Sequence, residues 1–159
     1  MDAWSTHIPM VATIFLKSEG PVLEMGCGYY STYMLHELCK LENRNLVSLD
    51  EKKEWLEKFM FFSNDNHQLH HVLDWASCEL IDKTKWGMVL VDHAPGERRK
   101  VDIDRLKNNA EYLIVHDSQE PGYKYEPVLS AFKYRFDYKL VSTWTTVVSN
   151  FNSLEFLNA

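Results

Sequence analysis

The stretch VLEMGCGYYSTYML, residues 22–35, begins as an apolar strand, breaks on Gly26 and Gly28, and resumes as a helix. Glycine lets a backbone turn sharply and approach a ligand or another strand closely. The helix that follows opens on Ser31 and Thr32, where free backbone N–H groups need acceptors. A strand, a glycine turn and a helix start together form the ligand loop of an open parallel sheet, whose ligands bind beyond the carboxyl ends of the strands.

The rest of the chain repeats this rhythm. Helical spacing covers 8–18, with Pro9 in the first turn, and 31–41, where Tyr33 or Met34, Leu38 and Leu41 share a face. NLVSLD (45–50) reads as a second strand and 51–62 as a helix with an acidic first turn. HQLHHVL (67–73) is a weaker strand, followed by a short helix from Trp75 to Asp82. WGMVLVDHA (86–94) and AEYLIVHDS (110–118) are apolar strands, with helices over 98–109 and 125–135. YKLVSTW and TTVVSNF, within 138–151, read as two closely linked strands that pair antiparallel. The expected fold is therefore α/β: a seven-stranded Rossmann-like sheet, mostly parallel, with a C-terminal antiparallel hairpin and helices on both faces. One domain over 1–159 is expected, with a helical segment at 1–20.

Composition narrows the function. At 159 residues, 45% apolar and 25% charged, the chain suits one soluble globular domain. The net charge of −6 argues against a nucleic-acid partner gripped by broad phosphate neutralisation. Cys27, Cys39 and Cys78 are odd in number with no CxxC spacing, which points to a reducing compartment. No apolar run is long enough for a bilayer, and the first ten residues lack the layout of a signal peptide, so a cytoplasmic protein without membrane partners is expected. The oligomeric state is left open.

Three successive strand ends carry candidate cofactor ligands. Glu24 places a carboxylate just before the glycine turn, which disfavours pyrophosphate and favours a cofactor with a cationic end, such as the amino group of S-adenosylmethionine. Asp50 ends the second strand about two dozen residues after Gly26, the place from which an acid grips ribose hydroxyls. Asp74 is a candidate acceptor for an adenine amine, and Trp75 a cover for the ring. Cys27 fits between the glycines as a small side chain. Each has a plainer role too: Gly26 and Gly28 a tight turn, Asp50 a helix cap, Trp75 core. Asp92 and His93 close the fourth strand, and His116, Asp117 and Ser118 close the fifth. Asp92, His93, His116 and Asp117 are the candidate catalytic groups, with Asp92 also counted among the cofactor contacts. His67, His70 and His71 read as surface or edge residues. In APGERRK (94–100), Arg98 and Arg99 sit where a helix disfavours cations, so the patch is a candidate anion site for the acceptor as well as a solvated helix start.

On EMGCG, the LD after the second strand and the terminal hairpin, the chain resembles the class I S-adenosylmethionine-dependent methyltransferases. With DHAPGERR and VHDS it is similar to a compact bacterial or phage-type group of them. The resemblance implies that residues 5–7 fold over the cofactor's carboxylate. The strand-end acids also resemble metal-dependent O-methyltransferases, where an acid after the fourth strand and an acid–amide pair after the fifth hold a divalent ion. Asp92 and Asp117 match those acids, implying magnesium, while Ser118 replaces the amide. The expected activity is methyl transfer to oxygen on a small or glycan-like acceptor. Two other readings stay open: an NAD-type oxidoreductase, and a cofactor-binding assembly subunit without transfer activity.

Overall fold

Near-continuous apolar runs drive the central strands, which are buried on both faces because successive side chains point to opposite sides. The computed structural model describes residues 2–158; Met1 and Ala159, the ends of the expected 1–159 domain, lie outside the described residues. The strands are β1 (Val22–Met25), β2 (Leu46–Asp50), β3 (His67–His71), β4 (Trp86–Val91), β5 (Ala110–His116), β6 (Tyr134–Tyr138) and β7 (Thr145–Ser149). They form one seven-stranded sheet in the order β3-β2-β1-β4-β5-β7-β6. The first five are mutually parallel, and β7 runs antiparallel to both β5 and β6.

The alternation sorts the core into two layers. Leu23, Met25, Val89, Val91, Leu113 and Val115 face α4 (Arg99–Leu106) and α5 (Glu126–Leu129). Val22, Met88, Leu90 and Ile114 face α1 (Ile8–Phe15) and α2 (Ser31–Leu41). In both layers each buried aliphatic side chain contributes about 1.5–3 kcal/mol.

Several elements differ from expectation. The penultimate strand is YRFDY (134–138), not YKLVSTW, and 139–144 form the hairpin loop. Tyr134, Phe136 and Tyr138 pack against the α1/α2 layer while Arg135 and Asp137 pair on the other side, an alternation that beats the apolar pair Leu140 and Val141. Leu140 is left 85% exposed. The helix expected over 125–135 ends at Leu129 for the same reason, since Tyr134 and Arg135 belong to β6. On α2 the buried stripe is Leu35, His36 and Cys39 with Ser31 and Thr32, whereas Tyr33 and Leu41 are exposed. Residues 51–62 make one α-turn, α3 (Lys53–Leu56), and then a 3-10 run to Phe62, and Trp75–Asp82 is two 3-10 turns. His67 is a core residue, not a surface one: it accepts or donates to Ser48 Oγ at 2.9 Å and to His36 Nδ1 at 2.9 Å. His70 and His71 lie nearer the surface.

Candidate functional site

The turn after β1 is built by Gly26. Its φ is +94°, and a Cβ there would lie 2.7 Å from the carbonyl carbon and oxygen of Asp92 and 2.8 Å from the backbone nitrogen of His93. The glycine thus presses the β1 loop against the end of β4. Beyond it, the N–H of Gly28 donates to Thr32 Oγ1 at 2.9 Å, and Thr32 Oγ1 lies 3.0 Å from both oxygens of Glu24. Ser31 is buried beside them. Glu24 is fully buried on the α1/α2 face, where Ser48 Oγ donates to it at 2.6 Å. Burial raises its carboxyl to about 7 against the hydrogen bonds from Ser31, Ser48 and Thr32. Its carboxylate therefore braces the loop from beneath.

At the end of β2, Asp50 ties the glycine loop down. Its Oδ2 accepts from the N–H of Cys27 at 2.9 Å and its Oδ1 from the N–H of Lys52 at 2.8 Å. The Cys27 carbonyl accepts from Trp55 Nε1, and burial pushes the Cys27 thiol up, so it stays neutral. Next to Asp50, Glu51 has a buried Oε2 with no hydrogen-bond partner among the described residues. Burial raises the Glu51 carboxyl, partly offset by neighbouring backbone N–H groups that include that of Ala94. In the sequence Glu51 reads only as an acidic first-turn residue; the signal for a site role is the acid pair it makes with Asp50 at a strand end. Asp74 is exposed and caps the following 3-10 turn by accepting from the N–H groups of Ala76 and Ser77. Trp75 is buried and donates its indole N–H to the carbonyl of Ala94 at 2.9 Å. Asp74 and Trp75 thus stand apart from the glycine loop's own hydrogen bonds.

A second set of groups gathers at the ends of β4 and β5. His116 Nδ1 lies 3.2 Å from Asp92 Oδ1, and Arg99 Nη2 lies 3.0 Å from the same oxygen. Burial would raise the Asp92 carboxyl, but His116 and Arg99 outweigh it and hold the group below the usual carboxylate range. For His116, burial opposes the charged form while Asp92 and Asp117 favour it, and the net shift is upward. His116 Nε2 lies 2.9 Å from Thr6 Oγ1 and 3.1 Å from Thr143 Oγ1. His7, just before α1, meets the His116 ring edge-on at 4.7 Å between centroids. It is 2% exposed, and neither of its ring nitrogens has a hydrogen-bond partner among the described residues. Burial, then the charge of His116, brings its pKa down to about 4.

His93 and Asp117 take different places. His93 turns to the α4/α5 face, packs against Trp75 at a tilt of 46° with 4.2 Å between ring centroids, and places Nε2 3.1 Å from Asp102 Oδ2. Asp117, with φ +55°, sets Oδ1 3.7 Å from His116 Nδ1 and Oδ2 3.8 Å from Arg99 Nη1. The two arginines of GERRK are internal struts, not an anion patch. Arg99 is buried and donates to the carbonyls of His93, Asp92 and His116, while Arg98 forms a two-pronged pair with Asp102. That internal demand explains two cations at a helix start.

Residues 2–7 cross over this edge. Tyr30 Oη donates to Asp2 Oδ2 at 3.2 Å, and Thr6 reaches His116, so the segment spans from the glycine loop to the end of β5. A cleft of about 380 Å³ lies past the end of β5 on the face of Arg135 and Asp137, away from the α1/α2 layer, lined by Ser118, Gln119, Tyr125, Arg135, Asp137 and Trp144. A larger hollow of about 480 Å³ lies at the opposite edge of the sheet, around Pro21, Trp86, Asn109 and Phe151, far from these groups. Among the described residues no helix is long and apolar enough to cross a membrane.

No protein-family model matches the chain, and no curated protein matches it in sequence. Solved structures do match. A methyltransferase from Geobacter sulfurreducens aligns with a TM-score of 0.65 at 14% identity, over 92% of this chain and 78% of its own. An SAH-bound methyltransferase of Podospora anserina aligns with a TM-score of 0.67 at 13% identity, over 94% and 80%. An rRNA methylase from Streptococcus thermophilus aligns with a TM-score of 0.61 at 10% identity, over 91% and 96%. The strand order, the inserted antiparallel β7 and these likenesses together give the chain the fold of the class I S-adenosylmethionine-dependent methyltransferases.

Proposed function

We propose that the protein is an S-adenosylmethionine-dependent methyltransferase that methylates an oxygen of a small or glycan-like acceptor. One observation carries the reading: along a single sheet edge, the glycine loop, the acid pair Asp50–Glu51 and the Asp92–His116 pair stand at successive strand ends in that fold. The residues suit this cofactor. Glu51 Oε2, buried and unpartnered among the described residues, wants a donor such as a ribose hydroxyl. Glu24 acts through Thr32 by fixing the loop. When bound, the cofactor supplies an electrophilic methyl on a sulfonium.

The remaining chemistry falls to the chain. In-line transfer requires an aligned acceptor oxygen relieved of its proton. Asp92, kept ionised by Arg99 and His116, is the group suited to orient that hydroxyl and take its proton. The test is a tritium-methyl transfer screen over hydroxylated small molecules and oligosaccharides. Asp92→Asn is expected to lower transfer about 100-fold or more on the acceptor found. Transfer at the wild-type rate would remove Asp92 from the chemistry.

A further inference from the structure

We propose that His7, Asp92 and His116 form a binding site for one divalent d-block cation of borderline softness, such as zinc or cobalt. One ligand atom from each of the three residues lies within 4.8 Å of the others, a spacing a single ion can draw together. Each residue is prepared for the role in a different way.

His7 is the strongest observation. A buried imidazole with two unpartnered nitrogens is costly, because desolvated polar atoms are normally paired. A metal bond at one nitrogen removes part of that cost. His116 is held by its far side: the Nε2 contacts with Thr6 and Thr143 leave Nδ1 directed at Asp92. A metal-ligating histidine is usually oriented by such a bond from its other nitrogen. On Asp92, Arg99 and His116 both approach Oδ1, and Oδ2 has no hydrogen-bond partner among the described residues. Arg99 is the opposing charge at the site, and Asp117, which faces both Arg99 and His116, offsets it.

The ligand chemistry selects the ion. Two imidazoles and one carboxylate suit zinc or cobalt, whereas magnesium prefers an oxygen cage with several waters. This set differs from the Asp92 and Asp117 pair expected from the sequence, because Asp117 does not join the three-way cluster. Three protein ligands leave a coordination position open. An acceptor oxygen would take that position, a consequence that rests on the methyltransferase reading, whereas ion binding does not.

The experiment titrates chelator-stripped full-length protein with Co²⁺, followed by visible absorption, and with Zn²⁺ by calorimetry, without cofactor or acceptor. One ion per chain is expected, with His7→Gln and His116→Gln each weakening binding about 30-fold or more, roughly 2 kcal/mol. His71→Ala, at an exposed histidine, should leave binding unchanged. Since a buried substitution can also perturb folding, X-ray absorption on the cobalt-loaded wild type gives an independent reading, with two imidazoles expected around the ion. Absence of a stoichiometric ion, fewer than two imidazoles, or magnesium bound as tightly as cobalt would overturn the proposal. A separate cofactor titration keeps that failure distinct from failure of the methyltransferase reading.

Discussion

Gly26→Ala is expected to cost about 2–5 kcal/mol of stability and to weaken S-adenosylhomocysteine (SAH) binding at least tenfold, roughly 1.4 kcal/mol. Two terms add. A side chain at φ +94° is strained, at about 1–2 kcal/mol. The new methyl would also sit 2.7–2.8 Å from backbone atoms of Asp92 and His93, which cannot swing aside as a flexible side chain would. Relief requires β1 to part from the end of β4, displacing the loop that Asp50 holds through Cys27. Thermal unfolding should show the melting point fall by roughly 5–15 °C. A variant that melts within about 2 °C of wild type would mean the close approach is not what shapes this turn.

The second large effect lies beneath the site. Asp102 is fully buried; it meets His93 at 3.1 Å and receives two hydrogen bonds from Arg98 at 2.9 and 3.0 Å. Burial alone would raise its carboxyl, yet His93 and Arg98 prevail and keep it below the usual range. Asp102→Ala removes the shared acceptor and strands a buried imidazole, which costs about 3–5 kcal/mol. Arg98, partly exposed, can turn to water, so most of the loss comes through His93. Adding His93→Phe should recover part of it, because an apolar ring leaves no unpaired nitrogen against Trp75. Denaturant unfolding of the single and double variants measures both steps. Equal stability of Asp102→Ala and wild type would mean this cluster does not support the end of β4.

Much of the site was legible in the alternation of the strands. Met88 and Leu90 face one layer and Val89 and Val91 the other. Continuing that count places Asp92 with the α1 layer and His93 with the opposite one, so neighbours in sequence cannot share a site. The same count along β5 puts His116 on the face of Tyr112 and Ile114, alongside Asp92. Residues 5–7 stand out in the sequence by resemblance, but the place of His7 beside His116 does not, because its partners are distant in sequence and meet it only when α1 packs across β4 and β5. HQLHH looks polar and does form the edge strand β3, yet His67 points inward and not to the surface. It is buried by its pairing with Ser48 and His36, a tertiary contact that local hydropathy does not register. The hairpin was expected in kind but misplaced, since Leu140 and Val141 mimic a strand that Tyr134, Phe136 and Tyr138 form instead.

The most direct measurement is a calorimetric titration of the wild-type protein with SAH and, separately, with NADH. Saturable one-to-one binding of SAH, lost in Asp50→Ala and with no heat from NADH, is the predicted result. Saturable NADH binding with no response to SAH would contradict the methyltransferase reading, whatever the fold.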